Sequence, residues 1–160
     1  MSKTFHTAFG VYGVISQNDS LLVINKNGGP YINRFDLPGG SLDEGEAVGH
    51  VLKREVKEET GLKVIKAEQL GTISFRYPWK YQHYPWNNHI CVFYDVQNYT
   101  GKVEATVEQF IGQDSLGAKW VNLEKLDADN SSPLVLKAKE FLLTGKFHIV
   151  DQKFEHWLVK

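Results

Sequence analysis

The sequence contains very little cysteine and no long apolar run, and these two absences exclude several classes of protein. Cys91 is the only cysteine among the 160 residues. One thiol cannot form an intrachain disulfide or a zinc site made of several cysteines. No apolar run reaches the roughly 18 residues that a membrane-spanning helix needs. The first ten residues also lack the apolar stretch of a signal peptide, so we expect a cytoplasmic protein that does not enter a membrane.

An excess of charge of one sign is also absent. The chain has 18 lysine and arginine residues against 19 aspartate and glutamate residues, and the net charge is −1. This balance, with the basic residues scattered along the chain, argues against a nucleic acid or an anionic membrane as partner. The apolar and charged fractions, 42% and 23%, are those of ordinary globular proteins. The length predicts a single domain over residues 1–160.

Apolar patterning predicts strands before and after a central helix. The predicted strands cover residues 5–15, 21–24, 64–76, 90–96 and 119–123. The first two are expected to form a hairpin around the turn-like Gln17-Asn18-Asp19. Residues 147–158 are predicted to form a short strand or a packed tail. This order of elements predicts an α/β fold with a mixed sheet between helices.

The ends of two helices carry recognisable signals. Helices are predicted over residues 43–60 and 133–144. Asp43 and Glu46 have the spacing of a capping box, and Gly61 follows as a C-terminal stop. Ser132 and Pro133 are typical of an N-cap and a first helical turn.

The first helix carries acidic residues inside its apolar face. At about 100° per residue, the apolar stripe lies within about 80° of Val48. The stripe consists of Val51, Leu52 and Val56. Glu55 and Glu59 fall about 20° on either side of Val48, so both are expected to face the protein body. There an unpaired carboxylate costs several kcal/mol, and the two like charges repel each other near the negative end of the helix dipole.

A bound divalent cation would offset these costs. Carboxylate oxygens are the ligands that Mg²⁺ and Mn²⁺ prefer. The sequence therefore predicts a divalent-metal site at the C-terminal half of this helix. The alternative is a solvated acidic surface, in which Arg54 and Lys57 pair with the glutamates.

A motif with fixed spacing contains these glutamates. Gly40 is followed after five residues by Glu46, and after seven more by Arg54-Glu55-Val56-Lys57-Glu58-Glu59-Thr60-Gly61-Leu62. The pattern resembles the Nudix box, Gly-x5-Glu-x7-Arg-Glu-U-x-Glu-Glu-x-Gly-U, in which U is a bulky apolar residue. Every defined position matches, and the preceding Leu37-Pro38-Gly39 resembles the family's usual entry to the box.

The resemblance implies a fold and an activity. The fold is the Nudix fold, an α/β/α sandwich with a mixed β-sheet between helices. The activity is that of a MutT-like pyrophosphohydrolase, which cleaves a nucleoside diphosphate linked to another group with Mg²⁺ or Mn²⁺. The implied partner is a small nucleotide-type substrate, and related enzymes are often homodimers.

The resemblance also implies roles for residues of the box. Glu55, Glu58 and Glu59 correspond to metal-binding or water-activating carboxylates, and the carbonyl of Gly39 corresponds to a further metal ligand. Arg54 is expected to orient the glutamates through charge-assisted hydrogen bonds, which places it with Glu55 and Glu58 in the catalytic set. Glu55 is the first choice of general base.

Other residues receive structural or open assignments. Glu46 is expected to hold the loop and the helix start together, while Gly40 and Gly61 permit tight turns. Glu108 and Asp114 lie in a region where some relatives keep a further catalytic or metal carboxylate. Neither belongs to a motif, and we expect both to be solvated surface residues.

An aromatic stretch lies between the third and fourth predicted strands. Residues 75–86 contain six aromatic residues and two prolines, and the prolines favour a loop over a strand. The loop is predicted to contact substrate through side chains that stack on a base or meet phosphate. These side chains are Arg76, Trp79, Tyr81 and Trp86. The alternatives are packing on the domain core and an oligomer interface.

Two other functions remain open besides hydrolysis of a small nucleotide. One is a Nudix-like sensor that binds a nucleotide without cleaving it, and the other is an RNA 5′-end pyrophosphohydrolase. An isoprenoid diphosphate isomerase of the same fold normally needs a reactive cysteine at the site, and Cys91 lies outside the box. The box does not distinguish ADP-ribose, dinucleoside polyphosphates, modified nucleoside triphosphates and nucleotide sugars.

Overall fold

The computed structural model describes residues 3–160, so residues 1 and 2 of the predicted domain lie outside the described part of the chain. The strands are β1 Phe5–Val14, β2 Ser16–Gln17, β3 Ser20–Lys26, β4 Phe35–Asp36, β5 Gly39–Gly40, β6 Lys63–Tyr81, β7 Tyr84–Thr100, β8 Ser115–Asn122 and β9 Gln152–Lys153. The helices are α1 Val48–Thr60 and α2 Pro133–Thr144. No helix within residues 3–160 is both long and apolar enough to cross a membrane.

The strands form a mixed sheet and a smaller antiparallel one. The mixed sheet has the order β5-β1-β7-β6-β9, in which β1 is parallel to β7 and β6 is parallel to β9. In the same sheet β1 is antiparallel to β5, and β6 is antiparallel to β7. In the smaller sheet, β3 pairs with β2, β4 and β8. The mixed sheet therefore confirms the prediction of strands of both directions in one sheet.

Two apolar cores lie on opposite faces of the mixed sheet. Consecutive strand residues point to opposite faces. Cys91 and Phe93 of β7 accordingly belong to the core that includes α2, while Val92 belongs to the core that includes α1. Burial of each large aliphatic side chain in these cores contributes about 1.5–3 kcal/mol. The predicted α/β/α sandwich is thus confirmed.

The first helix begins five residues later than the sequence predicts. The side chain of Glu46 accepts a hydrogen bond from Asp43 N–H, as a capping box requires, but no helix follows directly. Gly45 has a φ of +73°, which turns the chain between the two residues, and Ala47 is the N-cap. The C-terminal end is as predicted, because Gly61 adopts a left-handed φ of +83°.

The predicted hairpin has its turn where the sequence indicates, but its first strand is the short β2 and not β1. β1 lies between β5 and β7 in the mixed sheet, while β3 is the central strand of the smaller one. The short β2 pairs with β3 instead, and Asn18 in the connecting turn has a φ of +54°. Asparagine tolerates this conformation better than most residues.

The predicted aromatic loop is also wrong, because β6 and β7 continue through residues 75–86. The strands turn only at Gln82 and His83, between the paired Tyr81 and Tyr84. The β6–β7 register shifts just after Pro78, which has no N–H to donate. On its other side β6 pairs with β9 only at residues 75–76. Pro78 therefore lies on an edge, where a missing donor costs little.

The second helix is tied to the smaller sheet by a buried aspartate. The hydroxyl of Ser132 caps the helix by accepting a hydrogen bond from Val135 N–H, and it donates to Asp36 Oδ1 at 2.7 Å. The N–H of Leu37 donates to the same oxygen. Burial raises the pKa of Asp36 to about 6, although the nearby Lys26 opposes the shift.

We predict that Asp36→Asn makes the free energy of unfolding less sensitive to rising pH. Because the folded-state pKa of Asp36 is raised, its stabilising contribution is complete below about pH 4 and is lost as the pH rises through about 6. Asparagine keeps an acceptor for Ser132 without the buried charge. The unfolding free energy of the variant relative to the parent should therefore increase by about 2–3 kcal/mol between pH 4 and 7.5. Urea denaturation at both pH values measures this difference.

The matched control is Asp19→Asn, the same substitution at an exposed position. Its effect on the unfolding free energy should be within about 0.5 kcal/mol. A pH-independent difference between Asp36→Asn and the parent would contradict the prediction.

Candidate active site

The entry to the box lies in a narrow space between β1 and α1. Tyr12 of β1 pairs with Gly39, and Val11 pairs with Gly40. A Cβ atom at Gly39 would lie only 2.1 Å from the carbonyl oxygen of Val11, and its φ is +151°. Only glycine fits this position, so the chain can pass here directly over the helix that carries the glutamates.

Glu59 is a carboxylate in the protein interior. Its exposed fraction is 1%, and its Oε2 accepts a hydrogen bond from Gly39 N–H at 3.1 Å. Burial raises the pKa of Glu59 well above its usual value; Lys26 opposes the shift, and Asp114 and Glu55 add to it. Glu59 therefore has too few positively charged groups nearby to compensate an ionised carboxylate.

Glu55 and Glu58 lie beside Glu59 but are turned towards Arg54. One guanidinium nitrogen of Arg54, Nη1, lies 3.0 Å from Glu55 Oε1 and 3.4 Å from Glu58 Oε2. Glu55 is largely buried and Glu58 is more exposed. Burial raises the pKa of Glu55, and this outweighs the lowering effect of Arg54.

Glu46 holds Arg54 in place. Arg54 Nε and Nη2 donate to the two oxygens of Glu46 at 2.8 and 2.7 Å, and Nη2 also donates to the carbonyl of Ser41 at 3.1 Å. Hydrogen bonds from Arg54 hold the pKa of Glu46 at about 2. This bidentate pair fixes the plane of the guanidinium, and with it the positions of the two glutamates that it contacts.

The acidic residues fit a divalent cation chemically. Within residues 3–160 the structure does not gather three carboxylate, histidine or cysteine side chains into a ready ligand set, because Glu55 and Glu58 face Arg54. However, Mg²⁺ keeps several waters and needs only one or two carboxylates. A buried carboxylate with too little compensating charge and a nearby backbone carbonyl match that requirement.

A largely shielded lysine connects this acidic group to a residue from a distant loop. Lys26, the last residue of β3, forms an ion pair with Asp114. Burial alone would lower the pKa of Lys26, but the carboxylates of Asp36, Asp114 and Glu59 outweigh this effect and raise it. Asp114 has an exposed side chain, as expected, but the ion pair with Lys26 was not expected from the sequence. Glu108 is exposed, as expected.

Two cavities meet at this ion pair. The acidic cavity has a volume of about 370 Å³ and is lined by Gly39, Glu55 and Glu58 together with the tip of the 110–114 loop. The aromatic cavity, of about 390 Å³, is lined by residues of β1, β6, β7 and the 28–31 loop. Both cavities share Tyr12, Lys26, Ser41 and Asp114. A ligand in the aromatic cavity can thus extend into the acidic one.

A neutral histidine organises the wall of the aromatic cavity. His89 Nε2 lies 2.8 Å from the hydroxyl of Tyr12, and Nδ1 lies 2.9 Å from that of Tyr31. Burial lowers the pKa of His89 to about 3, so one tyrosine accepts a hydrogen bond from the ring and the other donates one. Asn87 continues the wall by donating to the hydroxyl of Tyr77 at 2.9 Å.

Two of the four residues predicted to contact substrate line the aromatic cavity. Trp79 and Tyr81 do so, and their rings are stacked with centroids 5.7 Å apart. Arg76 and Trp86 do not line it. The carbonyl of Arg76 pairs with the C-terminal segment, and Trp86 packs against Phe5.

Sequence reasoning did not identify most of the cavity wall. The residues it missed as site residues are Tyr12, Lys26, Tyr31, Asn87 and His89. They come from β1, β3, β7 and the loop after β3, and no local motif contains them. Polar residues within otherwise apolar strands were the only signal that could have identified them.

Comparison with known proteins gives a consistent result. The NUDIX domain family model matches residues 4–143. The ADP-ribose pyrophosphatase of Methanocaldococcus jannaschii is 42% identical over 69 residues, which are 43% of this chain and only 41% of that protein. The 8-oxo-dGTP diphosphatase of Haemophilus influenzae is 31% identical over 123 residues, 77% of this chain and 80% of that protein.

Solved structures show the same fold at lower identity. The MutT NUDIX hydrolase from Burkholderia pseudomallei superposes with a TM-score of 0.67 at 20% identity, over 84% of this chain and 97% of that chain. A MutT protein from Bacillus halodurans gives the same TM-score at 15% identity, over 92% of this chain and 90% of that chain.

We predict that Gly40→Ala weakens divalent-cation binding without unfolding the protein. A Cβ atom at residue 40 would lie 2.8 Å from the Glu55 carboxyl group, which must therefore move. Because this carboxyl is the end of a flexible side chain, the cost to stability should be small. We expect the affinity for Mn²⁺, measured by calorimetric titration, to fall about tenfold.

Gly49→Ala is the matched control. A Cβ atom at this position in α1 meets nothing within 4 Å, so the change should stabilise the helix by up to about 1 kcal/mol and leave Mn²⁺ affinity unchanged. Equal Mn²⁺ affinities of Gly40→Ala and the parent would remove Glu55 from the ligand set.

Proposed function

Because the chain belongs to the Nudix hydrolase family, we propose that it uses Mg²⁺ or Mn²⁺ to hydrolyse the diphosphate linkage of a nucleoside diphosphate joined to another group. The observation that carries this proposal is Glu59, a carboxylate that is 1% exposed, short of positive partners and hydrogen-bonded to Gly39, which lines the acidic cavity. We further propose that residues 1–160 form one such domain. The lone buried thiol of Cys91 supports placement in the reducing cytoplasm.

The cation is proposed to bind to the side chains of Glu55, Glu58 and Glu59 and to the carbonyl of Gly39. The chemistry that it supplies is neutralisation of the diphosphate oxygens. The chain's own charges contribute as well, because the ammonium group of Lys26 lies where the acidic and aromatic cavities meet. There it can contact a phosphate that spans both.

Glu55 is the proposed general base. As a residue that lines the acidic cavity, it is within reach of a water that attacks phosphorus in line. Arg54 positions the carboxylate through its hydrogen bond at 3.0 Å. Glu46 contributes indirectly, by fixing Arg54.

The aromatic cavity is proposed to hold the nucleoside. The stacked Trp79 and Tyr81 offer flat apolar surfaces, while Asn87 and His6 offer polar groups at the wall. The named activities of the two relatives, towards ADP-ribose and 8-oxo-dGTP, supply the first substrates to test.

The test is a substrate panel with Mg²⁺ and with Mn²⁺. The panel contains ADP-ribose, 8-oxo-dGTP, a dinucleoside polyphosphate, a nucleotide sugar and a 5′-triphosphorylated RNA. Released phosphate, diphosphate or nucleoside monophosphate is measured. We expect turnover of at least one small nucleotide. Nucleotide binding without turnover of any compound would replace the hydrolase by the sensor.

For the substrate that is turned over, we predict that Glu59→Gln lowers kcat at least about 100-fold in excess Mg²⁺. The melting temperature measured without metal should be unchanged or higher, because a buried charge is removed. Loss of activity then cannot be attributed to unfolding. Glu124→Gln, at an exposed position, is the matched control and should keep full activity. Near-normal turnover by Glu59→Gln would reject its assignment as a metal ligand.

A further inference from the structure

The C-terminal segment, residues 147–160, lies beyond the part of the chain that the family model matches, which ends at residue 143. It nevertheless packs against the mixed sheet. Its strand β9 pairs with residues 75–76 of β6. On either side of that pair, Asp151 accepts a hydrogen bond from Ser74 N–H at 2.9 Å, and Phe154 N–H donates to the carbonyl of Arg76 at 2.8 Å.

Trp157 of this segment lies behind two tyrosines of the aromatic cavity. Its ring centroid is 5.7 Å from that of Tyr31 and 5.1 Å from that of Tyr77. Its indole N–H donates to the carbonyl of Pro30 at 2.8 Å. Trp157 does not itself line the cavity, whereas Pro30, Tyr31 and Tyr77 do. It therefore contacts the wall from the side opposite to the ligand space.

Two residues just after the 28–31 loop, Asn33 and Arg34, donate further hydrogen bonds to the C-terminal segment. Arg34 donates to the carbonyl of Leu158 at 2.8 Å, and its guanidinium lies 4.8 Å from the ring centroid of Trp157. Asn33 donates to the carbonyl of Lys160 at 2.7 Å. Arg34 is only 5% exposed, so its bond to the segment is shielded from water.

The loop before Tyr31 gains contacts from the C-terminal segment in addition to its own backbone hydrogen bonds. Ile32 N–H donates to the carbonyl of Gly29 at 3.2 Å. Gly28 and Gly29 have open space where a Cβ would lie, so no side chain packs there. Glycines lose more conformational freedom on ordering than other residues, so contacts from outside the loop help to keep it in place.

We propose that Trp157, near the end of the C-terminal segment, is a positioning residue of the substrate site. It holds Tyr31, Tyr77 and the 28–31 loop where they receive the nucleoside part of the substrate. This inference rests on the proposed function. Its contacts reach the wall of the aromatic cavity and not the box glutamates, so the segment governs substrate binding rather than the chemical step.

If the C-terminal segment only stabilised the fold, its variants would change the melting temperature and not KM. The segment also covers part of the free edge of β6, which by itself would contribute to stability and solubility. A variant that only weakens the fold lowers the melting temperature and leaves KM unchanged. A variant that displaces the cavity wall raises KM, because the nucleoside then meets a wall that must first be ordered.

The test compares Trp157→Ala, Trp157→Phe and Phe147→Ala. Phenylalanine keeps an aromatic ring behind the tyrosines but loses the hydrogen bond to Pro30. Phe147 belongs to the same segment, but it packs against Phe93 and Phe141 in the core. Phe147→Ala is thus a matched aromatic-to-alanine control that leaves the cavity wall intact.

We expect Trp157→Ala to raise KM at least about tenfold with kcat within about twofold of the parent, and Trp157→Phe to raise KM about fivefold. Phe147→Ala should lower the melting temperature without raising KM. Mn²⁺ affinity should be unchanged in all three. Should Trp157→Ala lower only the melting temperature, as Phe147→Ala does, the positioning role is overturned while the hydrolase assignment stands.

Direct binding separates failure of this inference from failure of the proposed function. ADP serves as the probe, and its dissociation constant is measured by calorimetry without reference to turnover. If the parent binds ADP but hydrolyses nothing on the panel, a tenfold weaker affinity in Trp157→Ala still supports the positioning role, and an equal affinity overturns it. A parent that neither binds ADP nor turns over any nucleotide would overturn both proposals.

Discussion

The arrangement of the site depends on one costly feature, a carboxylate that α1 directs into the interior. Glu59 is almost completely shielded from water and receives a hydrogen bond from the backbone of Gly39. That bond is available only because the Gly39-Gly40 strand passes close between β1 and the helix. The helix, the glycine turn and the sheet thus constrain one another around a carboxylate whose ionised form is costly in the interior.

The site consists of two adjoining cavities, the acidic cavity and the aromatic cavity, with different linings. Charge is concentrated in one, where Arg54 and Glu46 set the directions of the other glutamates. Aromatic surface is concentrated in the other. The ion pair of Lys26 and Asp114 lies at their boundary and lines both. A molecule with a charged phosphate part and a flat heterocyclic part matches this division, whereas neither space alone would distinguish it from simpler ligands.

The acidic side was predictable because its residues are local in sequence. One helix and the turn before it carry the box, so a spacing rule and a helical wheel sufficed to select Glu55 and Glu59. The helix start was misplaced because Gly45 turns the chain after the capping pair. On the aromatic side only Trp79 and Tyr81 were predicted from the sequence. Tyr12, Tyr31 and His89 meet only through the parallel pairing of β1 with β7 and the path of a glycine-rich loop, which no local pattern encodes.

His89 lies between two tyrosine hydroxyls, so the hydrogen-bond donors of the cavity wall depend on which imidazole nitrogen carries the proton. A neutral imidazole carries one proton on either of two nitrogens, and here each nitrogen meets a tyrosine. The tyrosine that accepts from the ring keeps its own hydrogen free for another partner. Tautomers of His89 therefore decide whether Tyr12 or Tyr31 has a hydrogen to offer. The polarity of this wall can therefore reverse while every heavy atom stays in place.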